Sequence, residues 1–262
     1  MSVVVRSALS ITCSTWKALL LRETVNRIAA GRAAWAWLLI EPLVHVAFML
    51  TMFTVVRVTN VGGIDATLWL TIGMMAFFQF RRTSQQCTNA ISANRALFTY
   101  RQVKPVDTVL VRAACEGFLM LLVMIAAMCM LALLGHDVIP VDPLALLGAL
   151  AGLWLIGLGF GLISSVAVEL IPEMNRVIGF VMMPVYFLSG VIMQIGAIPE
   201  PYRGYLAMNP LVHGLETARL SFAPYYHTIS DLSLVYLYGW ALILVFFGLA
   251  LQVRFATRVA SQ

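Results

Sequence analysis

Arginine and amide side chains recur at helical spacing towards the end of one apolar segment. Since 3.6 residues complete a helical turn, one face would carry Gln79, Arg82, Gln86 and Asn89. Arg81 and Gln85 would lie beside that face. Lipid cannot solvate such groups, so the face predicts a water-filled cavity or contact with polar protein. The alternative is an arginine pair that reaches the inner headgroups, but the amides lack that reach and favour the cavity.

A basic loop, NRALFTYRQVKPVD, follows this segment and carries Arg95, Arg101 and Lys104. A loop this basic between membrane-length segments belongs on the cytoplasmic side. Its centre mixes small, apolar and aromatic residues, which suits a short helix on the membrane surface that contacts a cytoplasmic partner. The alternative is a solvated loop whose charges only set the topology.

Several kinds of catalytic chemistry are excluded by the sequence. The only lysines are Lys17 and Lys104, and neither follows a glycine-rich turn, which excludes a phosphate-cradling loop with its lysine. Neither an HExxH zinc motif nor a GxSxG nucleophile motif occurs. The four cysteines follow no metal-ligand spacing, and the four histidines are scattered over different segments. We therefore predict no catalytic residue, metal site, disulfide or bound cofactor.

The composition is that of an integral membrane protein. Hydrophobic residues make up 61% of the 262-residue chain and charged residues 11%, with a mean hydropathy of +0.90. Globular chains carry roughly 25% charged residues, and a soluble domain could not bury this much apolar surface. The net charge of +5 suits an anionic lipid leaflet rather than nucleic acid as the partner.

The apolar segments predict an all-α protein with six transmembrane helices and both termini in the cytoplasm. Of the 17 basic residues, only Arg57, Arg203 and Arg219 fall in outside segments. We expect no cleavable signal peptide, so the first span would act as an uncleaved signal. A basic interface helix (1–32) precedes the spans, and a cytoplasmic tail (254–262) follows them. The predicted spans are 33–56, 67–93, 106–134, 144–168, 177–194 and 232–253.

The interface helix is predicted to be amphipathic. Leu21 and Val25 fall on one side of a helical wheel, and Arg22 and Glu23 lie roughly opposite. A basic amphipathic helix of this kind lies along the inner membrane surface. The alternative is a plain basic flank of the first span.

Charged residues near the inner ends of two spans need polar partners. Glu41 precedes Pro42 in the first span, where a carboxylate requires protein or water and a proline permits a kink. Arg112 and Glu116 in the third span are spaced for an ion pair one helical turn apart.

Glycine and proline mark the second half of the chain. The fourth span contains two GxxxG patterns, 148–152 and 157–161, which allow helices to approach closely. The outer segment 195–231 is interrupted by prolines yet remains partly apolar, which predicts two short helices dipping into the outer interface.

The order of these features resembles that of permeases of type-2 ABC exporters. The stretches LLLRETVNRIAAGRAAWAWLLIEPL, NRALFTYRQVKPVD and MNPLVHGLETARLSF look like those of the polysaccharide-exporting branch. The short amino-terminal region and FFQFRRTSQQCTNAISANRAL look most like the inner-membrane permease of capsular polysaccharide export. The resemblance covers essentially the whole chain.

The resemblance implies an ATP-driven exporter in the bacterial inner membrane. Two copies of the permease would form a homodimeric channel with two separate ATPase subunits, which would bind ATP and magnesium. The cargo would be a lipid-linked anionic polysaccharide within a phospholipid membrane. A periplasmic co-polymerase or adaptor and an outer-membrane exporter would be further partners.

The resemblance also implies site residues. The family's coupling helix would map onto 90–102, and the ATPase contacts would be Asn94, Arg95, Phe98, Tyr100, Arg101, Glu169 and Glu173. The gate hinge would comprise Arg22, Glu23, Glu41 and Pro42. The outer re-entrant helices would carry Pro199, Tyr202, Tyr205, Asn209, Pro210, Glu216 and Arg219.

An anionic cargo gives the arginine segment a role in a substrate channel. Arg81 and Arg82 in a low-dielectric cavity would attract the anionic lipid-linked end or the sugar chain, with Gln85, Gln86 and Asn89 beside them. Sugar contacts could come from the aromatic residues Trp35, Trp37, Trp69, Phe77 and Phe78. The alternative for these aromatics, an interfacial belt or bundle packing, is favoured by their positions near span ends.

Two other functions remain open. The same architecture could export O-antigen, teichoic acid, or another lipid or drug-like cargo. A membrane scaffold or enzyme that needs no ATPase is the alternative from a different class, and failure to co-purify with a nucleotide-binding protein would favour it.

Overall fold

A computed structural model describes residues 8–29, 34–55, 59–100, 102–229 and 231–260. The described fold is all-α, as the sequence predicts, apart from one hairpin whose two strands have two residues each. The helices are α1 (Ala8–Ala29), α2 (Ala34–Val55), α3 (Ala66–Thr88), α4 (Pro105–Leu133), α5 (Pro143–Leu170), α6 (Met174–Leu188), α7 (Tyr202–Ala207), α8 (Pro210–Leu220), α9 (Leu234–Arg254) and α10 (Ala256–Ala260). A 3-10 helix (Ser92–Thr99), named the inner 3-10 helix after its predicted cytoplasmic side, follows α3, and a shorter one (Ile195–Ala197) precedes α7.

Helix α3 lies at the centre of the fold. Asp65, the last residue of a hairpin formed by β1 (Asn60–Val61) and β2 (Ile64–Asp65), caps its first turn by accepting a hydrogen bond from the Leu68 amide. Every residue from 68 to 80 is buried, against α2, α4, α5 and α8. A segment of this kind buries apolar side chains on all sides and so needs no polar face.

The prediction that the second span continues to residue 93 is wrong. Helix α3 ends at Thr88, and the Ala90 amide bonds to the Cys87 carbonyl in a tightened turn. The Asn89 carbonyl accepts a hydrogen bond from Arg112 Nη1 at 3.1 Å, so a side chain of α4 satisfies a backbone group at the helix end. The fifth predicted span also ends early, because α6 stops at Leu188 and Gly190 adopts a positive φ of 74°.

Helix α5 packs between α3 and α9, and its glycines make this possible. A Cβ on Gly161 would lie 2.2 Å from Cys87 Cβ in α3, and one on Gly157 would lie 2.8 Å from the Phe80 carbonyl oxygen. A Cβ on Gly159 would lie 2.6 Å from Leu244 Cβ in α9. The second predicted GxxxG pattern therefore serves contact between α5 and α3 within one chain.

In the part of the chain that the structure describes, three helices, α4, α5 and α9, are long and apolar enough to cross a membrane. Two shorter apolar helical segments, Ile40–Phe53 and Met174–Leu188, lie in α2 and α6. Helix α3 combines its buried apolar part with a polar carboxyl-terminal part. Helices α2, α3, α4, α5, α6 and α9 overlap the six segments that the sequence predicts to be spans.

Helix α1 turns Glu23 and Arg27 inward and leaves Leu21 and Val25 exposed, while Arg22 is exposed and Leu19 is buried. Leu21 and Val25 are 67% and 50% exposed. Glu23 and Arg27, on the other side of the helix, bond to side chains of α4. An exposed apolar face beside an anchored polar face is the orientation expected of a helix that lies on a membrane surface.

Candidate functional site: a polar cavity beside α3 and the ion pairs around it

A cavity of about 320 Å³ lies between α2 and the polar part of α3. Its wall is formed by Glu41, Pro42, His45, Phe78, Arg81, Arg82, Gln85 and Gln86. The structure thus brings five of the predicted channel residues of α3 together with two residues predicted to form the gate hinge. Gln79 does not share this wall, because it is buried and faces an apolar groove between α4 and α5.

The two arginines have different surroundings. Arg82 Nη2 donates to Glu41 Oε2 at 2.8 Å, and this ion pair joins α3 to α2. Arg81 is exposed, and no carboxylate among the described residues lies within 4.0 Å of it. Arg81 and Gln85 also line a second cavity of about 80 Å³, between α3 and α6, which Asn89 shares. The polar part of α3 therefore lies between two cavities.

A buried ion-pair network joins α1 to α4. Glu23 Oε1 accepts hydrogen bonds from Arg27 and Arg112, both at 3.0 Å, and Arg27 Nη1 donates to Glu116 Oε2 at 2.6 Å. The predicted pair between Arg112 and Glu116 is wrong, because each of them bonds to the opposite charge on α1 instead. Burial opposes the ionisation of Glu23, but the charges of Arg112 and Arg27 outweigh it and lower the pKa of this carboxyl below its usual 4.5.

The inner 3-10 helix contacts both α1 and the inner end of α5. Arg95 Nη2 lies 2.6 Å from Glu169 Oε2, and the Glu169 side chain is almost fully buried. Arg22 donates to the Asn94 amide oxygen at 3.2 Å. The predicted coupling residues thus form contacts with two other elements, and their helix is shorter than the predicted 90–102.

The remaining predicted coupling residues differ in exposure. Phe98 packs against a cluster of buried apolar side chains, whereas Tyr100 is exposed. Glu173, in the turn between α5 and α6, is exposed. Arg101 lies outside the described residues. A cavity of about 450 Å³ separates α1 from the loop that carries Tyr100.

Sequence comparison identifies the family. A family model described as ABC-2 type transporter matches residues 14–223. That match spans most of the chain, including the polar cavity and the ion pairs around it. The chain belongs to the ABC-2 type transporter family.

Several relatives of this ABC-2 type permease are proteins of capsule export. It is 34% identical over 247 residues to the polysialic acid transport protein KpsM of Escherichia coli, covering 94% of this chain and 95% of the relative. It is 30% identical over 254 residues to the capsule polysaccharide export inner-membrane protein CtrC of Neisseria meningitidis, covering 94% and 92%. The identity to BexB of Haemophilus influenzae, named likewise, is 25% over 217 residues, covering 82% and 81%. The resemblance predicted from the sequence is confirmed.

The outer segment of the ABC-2 type permease holds a fully buried ion pair. Arg219 Nη1 lies 2.7 Å from Glu216 Oε1, and neither side chain is exposed. Arg219 also donates to the carbonyl oxygens of Gly190 at 2.8 Å and Val191 at 2.9 Å, and its guanidinium lies 3.7 Å from the centre of the Trp69 ring. This arginine therefore joins α8 to α3 and to the turn after α6.

Other residues of the outer segment have simpler surroundings. The Asn209 side chain caps α8 through the Leu211 amide and donates to Ser189 Oγ at 3.1 Å. Pro210 occupies the first turn of α8, where its missing amide proton costs no hydrogen bond. Pro199, Tyr202 and Tyr205 are not buried.

The predicted sugar-contacting aromatics divide into two groups. Trp69 and Phe77 are fully buried, and Trp69 Nε1 donates to the Tyr226 hydroxyl at 3.0 Å, so bundle packing describes both residues in this structure. Phe78 lines the cavity beside Arg81, and its ring meets the edge of His45. Trp37 is 65% exposed. The side chain of Trp35 lies outside the described part of the chain.

Proposed function

We propose that this ABC-2 type permease is the transmembrane subunit of an ATP-driven exporter of lipid-linked capsular polysaccharide. The observation that carries the proposal is similarity to KpsM over 94% of the chain, with further relatives named for capsule polysaccharide export. Two permeases form the channel as a homodimer in the bacterial inner membrane. Two separate ATPase subunits bind ATP and magnesium and supply the energy.

The proposed topology has six spans with both termini in the cytoplasm. Helices α2, α3, α4, α5, α6 and α9 cross the membrane, and α7 and α8 form the outer re-entrant pair. Helix α1 lies on the inner membrane surface with Leu21 and Val25 towards lipid. The distribution of basic residues supports this orientation.

The ATPase binds, in this proposal, at the inner 3-10 helix and at the turn between α5 and α6. The bond between Arg95 and Glu169 supports this, because it links the two contact regions mechanically. A displacement of the 3-10 helix by the ATPase would reach α5 through Glu169 and α1 through the contact of Asn94 with Arg22. Glu41 and Pro42 in α2 provide the hinge of the inner gate.

The cargo enters through the cavity lined by Arg81, Arg82, Gln85 and Gln86. Guanidinium groups form paired, charge-assisted hydrogen bonds with phosphate and carboxylate groups, which suits an anionic lipid-linked polysaccharide. A periplasmic adaptor and an outer-membrane exporter receive the cargo on the other side.

A pull-down in mild detergent from the native membrane tests this function. We expect the tagged permease to elute with an ATPase subunit in equal amount and with vanadate-sensitive ATP hydrolysis. Deletion of the permease gene should abolish surface polysaccharide, and the unaltered chain should restore it. A permease that elutes alone, without ATP hydrolysis, would overturn the proposal.

A further inference from the structure

The ion pair between Glu41 and Arg82 differs from the other pairs that join long helices. The Glu41 side chain is 56% exposed and the Arg82 side chain 16%. In the pair of Arg27 with Glu116 the carboxylate side chain is 1% exposed. Water can solvate the exposed Glu41 carboxylate once it leaves Arg82, whereas the largely buried Arg82 guanidinium would then lack a counter-charge. Glu41 can therefore leave Arg82 when another anion takes its place.

The cavity beside this pair has an excess of positive charge. Arg81 lines the same wall, and no described carboxylate within 4.0 Å neutralises it. Among the described residues that line this cavity, Glu41 is thus the one carboxylate beside two guanidinium groups. The amides of Gln85 and Gln86 add neutral hydrogen-bond donors to the wall. Such a wall favours an incoming oxyanion.

We propose that Arg81 and Arg82 form an oxyanion-binding site in which Glu41 acts as an exchangeable internal ligand. In the absence of cargo, the Glu41 carboxylate accepts the hydrogen bond from the Arg82 guanidinium. A phosphodiester or carboxylate group of the cargo takes the place of Glu41, which turns into the water-filled cavity. This inference rests on the proposed function for the identity of the cargo, but the binding site itself does not depend on an ATPase.

The exchange would also release a contact between two helices. The Arg82–Glu41 bond joins α3 to α2 next to Pro42, which cannot donate a hydrogen bond to the carbonyl four residues earlier. Once the oxyanion has replaced Glu41, α2 loses this contact at the point where its own backbone hydrogen bonding is interrupted. Binding of the anion is thereby coupled to movement of the inner part of α2.

Direct binding measurements on the full-length chain, purified with whatever subunits accompany it, test the exchange. The probes are dihexanoyl phosphatidylglycerol below its micellar concentration, which supplies a phosphodiester, and a galacturonic acid oligomer, which supplies sugar carboxylates. Because Glu41 competes with the probe, Glu41→Gln should bind one of the probes about fivefold more tightly than the unaltered chain, as expected for removal of an exposed ion pair. The probe that gains affinity identifies the source of the oxyanion.

Four further variants test whether the gain depends on the cavity and on Arg82. Glu200→Gln is the matched control, because Glu200 forms an exposed pair with Arg203, is itself 57% exposed, and lies outside the cavity lining; it should leave both affinities unchanged. Arg81→Gln should weaken binding, and Glu41→Gln combined with Arg82→Gln should show no gain over Arg82→Gln alone.

Two results would overturn the exchange. One is an unchanged affinity of Glu41→Gln for both probes. The other is an equal gain from Glu41→Gln whether or not Arg82 is present. Either result would leave the pull-down with the ATPase unaffected, so failure of the exchange is distinguishable from failure of the proposed function.

Discussion

Arg27 Nη1 lies 2.6 Å from Glu116 Oε2, and this bond fixes the interface helix α1 to α4. Glu116 is almost fully buried, and its second oxygen, like Arg27 Nη2, has no hydrogen-bond partner among the described residues. Glu23 and Arg112 complete the network with bonds of 3.0 Å. Two carboxylates and two guanidinium groups therefore neutralise one another between the two helices, so that loss of any one charge unbalances the network.

Glu116→Ala should destabilise the permease strongly. Arg27 would keep only Glu23 as its partner while remaining largely buried, and leaving such a charge without its partner costs about 3–5 kcal/mol. Unfolding in mixed micelles with increasing SDS measures the change. Glu200→Ala removes a carboxylate from an exposed pair and should cost less than about 1 kcal/mol. Equal losses in the two variants would contradict a special role for the network.

The pH dependence of this network follows from Glu23. Its folded-state pKa lies below the unfolded value of 4.5, so its stabilising contribution is fully present above pH 4.5 and is lost as the pH falls through the folded-state pKa. We therefore expect the Tm difference between the unaltered chain and Glu23→Gln to be constant from about pH 5 to 8. The difference should shrink below pH 4.5. A difference that already declines between pH 7 and 5 would contradict the lowered pKa.

The sequence predicts the order and approximate positions of the long helices, because long apolar segments mark most of them, but it places the ends of α3 and α6 too late. The arginines and glutamines after Phe80, which the sequence predicts to face a cavity or polar protein, line cavities in the structure, whereas Gln79 of the same predicted face lies elsewhere. The sequence does not predict the partner of Arg112. Helical spacing identifies only neighbours on the same helix, and it therefore indicates Glu116, which lies one turn away. The partners on α1 depend on how two helices pack, which one sequence does not specify.

The same limit explains why the sequence does not predict the burial of Trp69, Phe77 and Arg219. The positions of aromatic residues near the ends of spans favour an interfacial belt or bundle packing over sugar contact, but a single sequence does not separate belt from packing. Burial decides between them, and it follows from the position of α3 at the centre of the bundle. Arg219 counts as an outside charge in the sequence, yet the structure buries it completely beside Glu216. The three-residue spacing of Glu216 and Arg219 places both on one face of a helix, and this is the feature of the sequence that could have indicated the ion pair.

Gly73→Ala should disrupt the contacts of Arg219. A Cβ at position 73 would lie 2.1 Å from Arg219 Nη2, whose guanidinium is held by two backbone carbonyl oxygens and Glu216. Overpacking of this kind costs about 1–3 kcal/mol or more. Gly239→Ala in α9 is the matched control, because nothing lies within 4 Å of its new Cβ. SDS-dependent unfolding should show a lower stability for Gly73→Ala than for Gly239→Ala, and equal stability would argue against a structural role for the contacts of Arg219.

Glu169→Gln should impair coupling to the ATPase more than Glu173→Gln does. Glu169 is buried and bonds to Arg95 at 2.6 Å, so its neutralisation removes the charge that holds the inner 3-10 helix against α5. A hydrogen bond to a charged group contributes about 1.5–3 kcal/mol. Glu173 is exposed in the next turn and forms no ion pair with a described residue, so Glu173→Gln should leave the 3-10 helix in place. The amount of ATPase retained in the pull-down and its hydrolysis rate measure the difference, and equal retention would contradict the linkage.

Arg81→Ala and Arg82→Ala should both reduce export while leaving the level of permease in the membrane normal. Each removes one guanidinium from the cavity wall, and loss of a charge-assisted hydrogen bond lowers the affinity for an anion roughly tenfold or more. Surface polysaccharide, measured at equal permease levels, gives the effect. Arg203→Ala, in the exposed outer pair, removes a guanidinium far from this wall and should export normally.

Adding Glu41→Gln to each of the two arginine variants should restore export to different extents. In Arg81→Ala the Glu41 carboxylate still occupies Arg82, so adding Glu41→Gln frees this guanidinium for the cargo and should restore part of the export. In Arg82→Ala the arginine that Glu41 occupies is absent, so adding Glu41→Gln should restore little export. Full export by both single variants would refute the role of the arginines in cargo entry. Equal restoration of export by Glu41→Gln in both arginine variants would instead show that Glu41 acts through its negative charge alone and not through its bond to Arg82.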